Sequence, residues 1–444
     1  MSAEVGPERR VLVIGALAML GLVLVGVVSA QLFTRSACEA LVPELLDARA
    51  VGTDVAEVLA AALDDLDADD RMAVQAALGA LTARLGPIEG LADVTGAASL
   101  AALADGEVVA LGPTTTVLRG DVGAVRATAS IGGVVEGDGS ALYALALENP
   151  LTGQVDALLP LDAALEPGTC VDTATVGTPL AFRLDARDGQ LLLFRIDDDA
   201  DAPRLELRDP VRGQVWRSEV RAPTAPPGVL AERLAGVIGE EVVVVAWHVA
   251  PDADVPVVAA YDRVDGALRW RIGVEQLVGL APDPAEEGDP IRAEVVASGG
   301  GHVIVALTRD GRDAPATFVG LSSATGRIRW SVDLAPRTAL DADLEHGRLV
   351  LVAREDGVPT AYEVDLDGGE ARPRTATAGE QVAVALDGER IVLAVDGSLT
   401  IVTEDGAETV TTDAWFADVL AVGRATVVLV RSEEGAVAVR YGGS

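Results

Sequence analysis

Lysine is absent from this 444-residue chain, asparagine occurs once, at Asn149, and aromatic residues make up only 3%. Without lysine there is no amine for a Schiff base and no lysine general base, and arginine supplies the side-chain positive charge. The three histidines, His248, His302 and His346, stand singly along the chain, which is not the spacing of a three-ligand metal site. With few rings, burial must rest on Val, Leu, Ile and Ala, and each of the five tryptophans needs an explanation. No G-x-S-x-G elbow, P-loop or H-E-x-x-H motif is found, and acidic residues are too abundant for any carboxylate pair to stand out. The 69 acidic residues against 34 basic ones leave a net charge of -35, which repels a phosphate backbone and excludes nucleic acid as an expected partner.

Residues 11–28, VLVIGALAMLGLVLVGVV, form an unbroken apolar run, and the tolerable stretch continues to Phe33. That is enough helix to cross ~30 Å of hydrocarbon. Arg9 and Arg10 precede it and a strongly acidic remainder follows, so the positive-inside bias predicts a cytoplasmic tail at 1–10, a transmembrane signal anchor at 11–33 and an extracytoplasmic remainder in the cell membrane. Two alternatives keep the bulk outside: secretion after cleavage near Ala30 in Val28-Ser29-Ala30, and lipidation at Cys38, although Arg35 stands where a lipobox wants an aliphatic residue. Cys38 and Cys170 are an even pair in an exported chain and are expected to form one disulfide.

Between the apolar run and residue 100 the sequence predicts an extracytoplasmic helical stalk at 34–100. Val55, Val58, Leu59, Ala62, Leu63 and Leu66 fall at helical spacing, with Thr53 or Asp54 as N-cap; Val74, Leu78, Leu81 and Leu85 do the same from about Asp70 until Gly86-Pro87. The joint Asp65-Leu66-Asp67-Ala68-Asp69 imitates the start of an EF-hand loop, but Asp70 replaces the turn glycine and Ala76 the bidentate glutamate, so caps on the second helix explain the carboxylates better.

From about Gly120 short aliphatic runs alternate with Asp-Gly, Thr-Gly and Arg-Gly turns, the texture of successive hairpins. Two windows align without gaps: residues 257–273, VVAAYDRVDGALRWRIG, and 317–333, TFVGLSSATGRIRWSVD, matching Gly266 to Gly326 and Trp270 to Trp330. A third, residues 204–220, carries Gly213 and Trp216 with one residue fewer between them, and weaker copies surround Gly153, Gly368 and Gly406. An apolar strand after a glycine precedes each hairpin, as in GHVIVAL from Gly301 and GRLVLVA from Gly347. Period and strand content predict an all-β propeller at 101–444 with four-stranded blades near 120–163, 172–221, 233–274, 292–334, 339–376, 380–413 and 415–444. That makes seven blades, with eight as the alternative. Only three strands are recognisable in the last, so Glu107 to Leu111, EVVAL, is expected to close it.

The pattern Ala260, Asp262, Gly266, Trp270 resembles the repeat of the pyrroloquinoline-quinone-like β-propellers, over about three quarters of the chain. In that family the glycine permits the turn and the tryptophan docks between blades, which implies the docking role for Trp216, Trp270 and Trp330 with Gly213, Gly266 and Gly326. The family's enzymes hold a quinone on calcium beside a vicinal disulfide. No adjacent cysteines and no lysine are present here, and the one asparagine precedes Pro150, so neither a quinone cofactor nor a dehydrogenase is expected. The acidic loop with Asp197, Asp199 and Asp201 is a weak calcium candidate, a solvated loop being the simpler reading. The chain is similar to the cofactor-free branch that includes the propeller lipoprotein of the outer-membrane β-barrel assembly machinery. That likeness implies a membrane-anchored scaffold binding cell-envelope proteins; the alternatives are an extracytoplasmic small-molecule sensor and, last, a quinoprotein-type enzyme.

Overall fold

A computed structural model describes the chain between residues 37 and 442, outside the segments 173–180, 184–189, 196–203, 220–234, 249–255, 277–290, 310–315 and shorter pieces. The expected anchor at 11–33, the cleavage site at Ala30 and the calcium candidates Asp197, Asp199 and Asp201 lie outside the described residues, as does His346. Among the described residues no helix is long and apolar enough to cross a membrane.

Among the described residues the strands form eight antiparallel sheets, each with a core of four. In chain order, sheet 1 runs from Ser99–Ala102 to Ala124–Ser130, sheet 2 from Val134–Asp138 to Val171–Asp172, and sheet 3 from Ala181–Arg183 to Gly213–Glu219. Sheet 4 spans Ala235–Ile238 to Leu268–Ile272, sheet 5 Ile291–Gly299 to Ile328–Leu334, sheet 6 Arg337–Asp343 to Ala371–Ala376, and sheet 7 Val382–Asp387 to Gly406–Thr411. Sheet 8 takes Trp415–Val422, Ala425–Arg431 and Ala436–Gly442 from the C-terminal end and Ile88–Asp93 from the N-terminal side. The first strands of sheets 1 and 2, 3 and 4, 4 and 5, 6 and 7, and 7 and 8 meet, Gln154–Leu161 of sheet 2 meets Ala181–Arg183 of sheet 3, sheets 5 and 6 share one apolar cluster, and the first strand of sheet 8 meets Ser99–Ala102 of sheet 1, so the sheets close a ring. This is a β-propeller. The inner strands are aliphatic on both faces because both are covered by neighbouring sheets: Val303, Ile304 and Val305 are fully buried in succession.

Three expectations are corrected here. Where the repeats suggested one blade near 120–163, residues 99–172 make sheets 1 and 2, because neither carries the glycine–tryptophan signature that makes a blade visible. Val108–Leu111 is not the closing strand but the second strand of sheet 1, between Ser99–Ala102 and Thr114–Arg119. Closure falls to Ile88–Asp93, which pairs with Ala436–Gly442, Leu91 opposite Val439 and Ala92 opposite Ala438. A register shift between Ile88 and Gly90 breaks the alternation that would have marked this strand.

The helical segment is likewise no stalk standing apart from the ring. Helix α1 is Ala37–Ala40, α2 is Val55–Ala62 and α3 is Ala68–Leu85. Val74, Ala77, Leu78, Leu81 and Leu85 of α3 share one hydrophobic cluster with Val392, Ile401, Phe416, Val428 and Tyr441 of sheets 7 and 8. Burying that stripe is what holds the helix. Asp67 caps it, its carboxylate accepting the Asp69 and Asp70 amides at 2.9 Å each. At the other end Gly86 has φ +101, and a Cβ there would stand 2.6 Å from the Gly442 carbonyl oxygen, so only glycine lets the helix turn into the closing strand.

A strap from the N-terminal side crosses the seam. Cys38 is bonded to Cys170, Glu44 and Leu45 add a fifth strand to sheet 1 opposite Ser130 and Ala129, and Val51 and Gly52 add one to sheet 8 opposite Ala92 and Leu91. On the inner side of that seam Asp418 of sheet 8 accepts the Leu100 amide of sheet 1 at 2.7 Å and its own neighbour Val419 at 2.8 Å. The device recurs between sheets 6 and 7, where Asp341 accepts the Leu386 amide at 2.7 Å and that of Ala342 at 2.8 Å.

Candidate functional site

The regular part of the ring is the outer region of sheets 3 to 6, where sheets 4 to 6 share one repeated turn. In sheet 4 the Asp262 amide donates to the Ala267 carbonyl and Gly266 donates back to Asp262; Ser322, Arg327 and Gly326 repeat this in sheet 5, and Asp365, Glu370 and Gly369 in sheet 6. The three glycines have φ +72, +67 and +70. For sheet 6 the turn glycine is therefore Gly369 rather than its neighbour Gly368.

Each of these glycines lies beneath a tryptophan of the preceding sheet. A Cβ on Gly266 would stand 2.6 Å from Trp216, one on Gly326 2.6 Å from Trp270, and one on Gly369 2.4 Å from Trp330. The indole nitrogens donate to the carbonyl three residues before the glycine in every case: Trp216 to Arg263 at 2.8 Å, Trp270 to Ser323 at 2.6 Å, and Trp330 to Leu366 at 2.5 Å. A buried indole N–H thus has its acceptor, and successive sheets are locked in one register. Trp216 also stacks on Tyr261 with ring centroids 6.4 Å apart. Gly213 starts the outermost strand of sheet 3 opposite Asp209. In sheet 6 Pro373 stands opposite Tyr362, where Trp330 stands opposite Gly320 in sheet 5, and this tryptophan series ends there.

Beside each buried tryptophan a β-bulge brings an aliphatic side chain to the surface. The register shifts between Leu207 and Arg208, Ala260 and Tyr261, and Gly320 and Leu321. An inserted residue turns the next side chain to the other face. Leu268 and Ile328 are accordingly exposed on the outermost strands of sheets 4 and 5, Leu268 by 55%; Val215, the extra residue of the sheet 3 bulge, and Val264 at the sheet 4 turn, by 82%, are exposed too. Arg269, Arg271, Arg327, Arg329, Arg372 and Arg374 lie on the outermost strands of sheets 4 to 6 or at their starts. A band of arginine and aliphatic residues therefore crosses the rim of a strongly acidic chain.

The arginines are held in place by carboxylates. Arg269 reaches Asp262 at 2.6 Å and Glu241 at 3.4 Å, and its hydrogen bond holds the Asp262 carboxyl below the usual range. Arg374 meets Glu363 at 3.6 Å and donates to the Thr403 carbonyl of sheet 7 at 3.1 Å. Glu206, fully buried in sheet 3, lies 3.1 Å from both Arg208 and Arg217. His302 is buried between sheets 5 and 6, with Arg329 at 3.4 Å and Asp367 at 3.9 Å, and desolvation with the arginine holds its imidazole below the ordinary pKa. Among the described residues no group of three His, Cys, Asp or Glu side chains is arranged to hold a metal ion.

No protein-family model matches the chain, and no curated protein matches it. Solved structures resemble it in fold. BamB from Moraxella catarrhalis is similar at 15% identity and a TM-score of 0.42, over 77% of this chain and 92% of that one. The quinohemoprotein alcohol dehydrogenase from Comamonas testosteroni is similar at 10% identity and a TM-score of 0.48, over 79% and 76%. The Dos1 propeller is similar at 8% identity and a TM-score of 0.48, over 80% and 94%. The band on sheets 3 to 6 was only half visible in sequence: its tryptophans marked the repeat, but the exposure of Leu268 and Ile328 depends on bulges that alternation alone cannot show.

Proposed function

We propose that the chain is a membrane-anchored, extracytoplasmic scaffold whose propeller binds a protein of the cell envelope through the arginine and aliphatic band on sheets 3 to 6. The anchor is the apolar run at 11–33. One observation carries the binding reading: Leu268 and Ile328 are turned outward by bulges on adjacent sheets, with Val215 exposed in the bulge of the sheet before them, amid arginines of the outermost strands in a chain with net charge -35. Exposed aliphatics ringed by arginine are the composition of a protein interface, and the docked tryptophans beneath give it a rigid floor. The charged groups described above serve ion pairs and intersheet bonds, which favours a binding role over a catalytic one.

The test is site-specific photo-cross-linking in native membranes from Leu268, Ile328 and, as control, Thr409 on the outermost strand of sheet 7. The expected result is one recurrent protein from the first two sites, absent from the third, and lost from the probe at 268 on Ile328→Asp and from the probe at 328 on Leu268→Asp. Equal labelling at all three sites, or a product unaffected by the Asp change at the other site, refutes the assignment of the face. A purified chain that retains a small molecule while giving no such product favours a sensor instead.

A further inference from the structure

A second group of exposed aliphatic residues lies on the opposite side of the ring. Val42, Leu45 and Leu46 are 53%, 64% and 41% exposed, within five positions of one another. They belong to the strap. Leu45 pairs with Ala129 on the outermost strand of sheet 1, and the Leu46 amide donates to the Thr128 carbonyl at 2.8 Å. The residue before them, Leu41, is fully buried in one cluster with Ala101, Leu142 and Leu159, and Ala37, Cys38 and Cys170 pack against that cluster. The segment is thus clamped at its start by a disulfide and an apolar plug, with three aliphatic side chains left in water on an otherwise acidic molecule.

We propose that this rim segment rests on the surface of the lipid bilayer, so that the propeller stands on the edge formed by sheets 1 and 2. The inference depends on the anchor reading above. The apolar run ends at Phe33, four positions before Ala37. An extended chain spans at most ~3.6 Å per residue, so the clamped segment begins within about 14 Å of the hydrocarbon, roughly twice the depth of one headgroup layer. Because Cys38 is bonded to Cys170 beside sheet 2, the ring is tied close to the end of the apolar run, and among the described residues Val42, Leu45 and Leu46 are the exposed aliphatics nearest to it in sequence. Glu39 and Glu44 flank them and are exposed, which suits a neutral headgroup surface rather than an anionic one. Sheet 5 lies across the ring from sheet 1, so the band carrying Leu268 and Ile328 points away from the bilayer toward a partner.

The test uses the full chain in phosphatidylcholine vesicles. With Cys38 and Cys170 bonded, a Leu45→Cys variant offers one reactive thiol for a nitroxide label, and Val264→Cys on sheet 4 is the control. Collision rates with oxygen, which concentrates in the bilayer, and with a water-soluble nickel chelate are compared. The expected result is an oxygen-to-nickel ratio several-fold higher at position 45 than at 264, falling toward the control when Val42 and Leu46 are changed to Ser. A chain that floats with the vesicles but gives equal ratios overturns the docking and leaves the anchor standing. A chain that does not float overturns both.

Discussion

Substituting Gly326 with alanine separates two costs that the structure places at one atom. The first is the backbone at φ +67, which a Cβ penalises by roughly 1–2 kcal/mol. The second is steric: the new methyl would stand 2.6 Å from Cε3 and 2.7 Å from Cδ2 of Trp270, whose ring is pinned by its bond to the Ser323 carbonyl. Overpacking of that kind costs about 1–3 kcal/mol, for a total of ~2–5 kcal/mol. Gly347→Ala supplies the reference, because Gly347 has φ +70 but nothing within 4 Å of its Cβ position. Unfolding entropy near ~2.1 cal/mol/K per residue makes each kcal/mol worth about 1 °C in a chain this long, so calorimetry should show a fall of ~2–6 °C for Gly326→Ala against ~1–2 °C for Gly347→Ala. In a Trp270→Ala background the steric part vanishes, and adding Gly326→Ala should cost no more than Gly347→Ala does. The coupling in that cycle is then ~1–3 kcal/mol. Equal shifts for the two glycines, or a Gly326→Ala penalty that survives loss of the indole, would refute the docking argument.

Two further outcomes follow from the seam. Cys38 and Cys170 are 132 residues apart, so replacing both by serine should destabilise the fold by about 5 kcal/mol in the chain-entropy account, read as a lower melting midpoint that matches the reduced wild type; an unchanged midpoint would show that the strap holds without its staple. Burial pushes the Asp418 carboxyl above its usual range against the opposing hydrogen bonds from Leu100 and Val419. The folded state therefore takes up a proton at a higher pH than the unfolded chain, whose carboxyl titrates near ~3.9, and this group adds stability as pH falls from neutral toward that value. The stability of wild type minus that of Asp418→Asn should then increase on acidification over that window, measured by midpoints across a pH series, and a flat or falling difference would contradict the assignment.

What the amino-acid order by itself determined is what local chemistry can specify. Gly266 and Gly326 at a tight turn, a tryptophan four residues later and aliphatic runs between them repeat at the period of a blade, so sheets 3 to 5 and the all-β fold were legible. The pair Cys38 and Cys170 was legible because only two cysteines exist. Helix α3 was read from its stripe and its Gly86 stop, even though its first residue proved to be Ala68. Tertiary structure alone decided how the ring closes. The partner of Ala436–Gly442 is Ile88–Asp93, more than 340 residues away, and the ion pair Glu89–Arg440 at 3.2 Å across that join spans a separation of 351. No local period marks a pairing of that kind, since a strand interrupted by Gly90 and a bulge is chosen by the edge left open for it rather than by its own pattern. The same holds for Leu45 and Leu268: aliphatic residues carry no sign of being exposed until the neighbouring sheets show which face they leave uncovered.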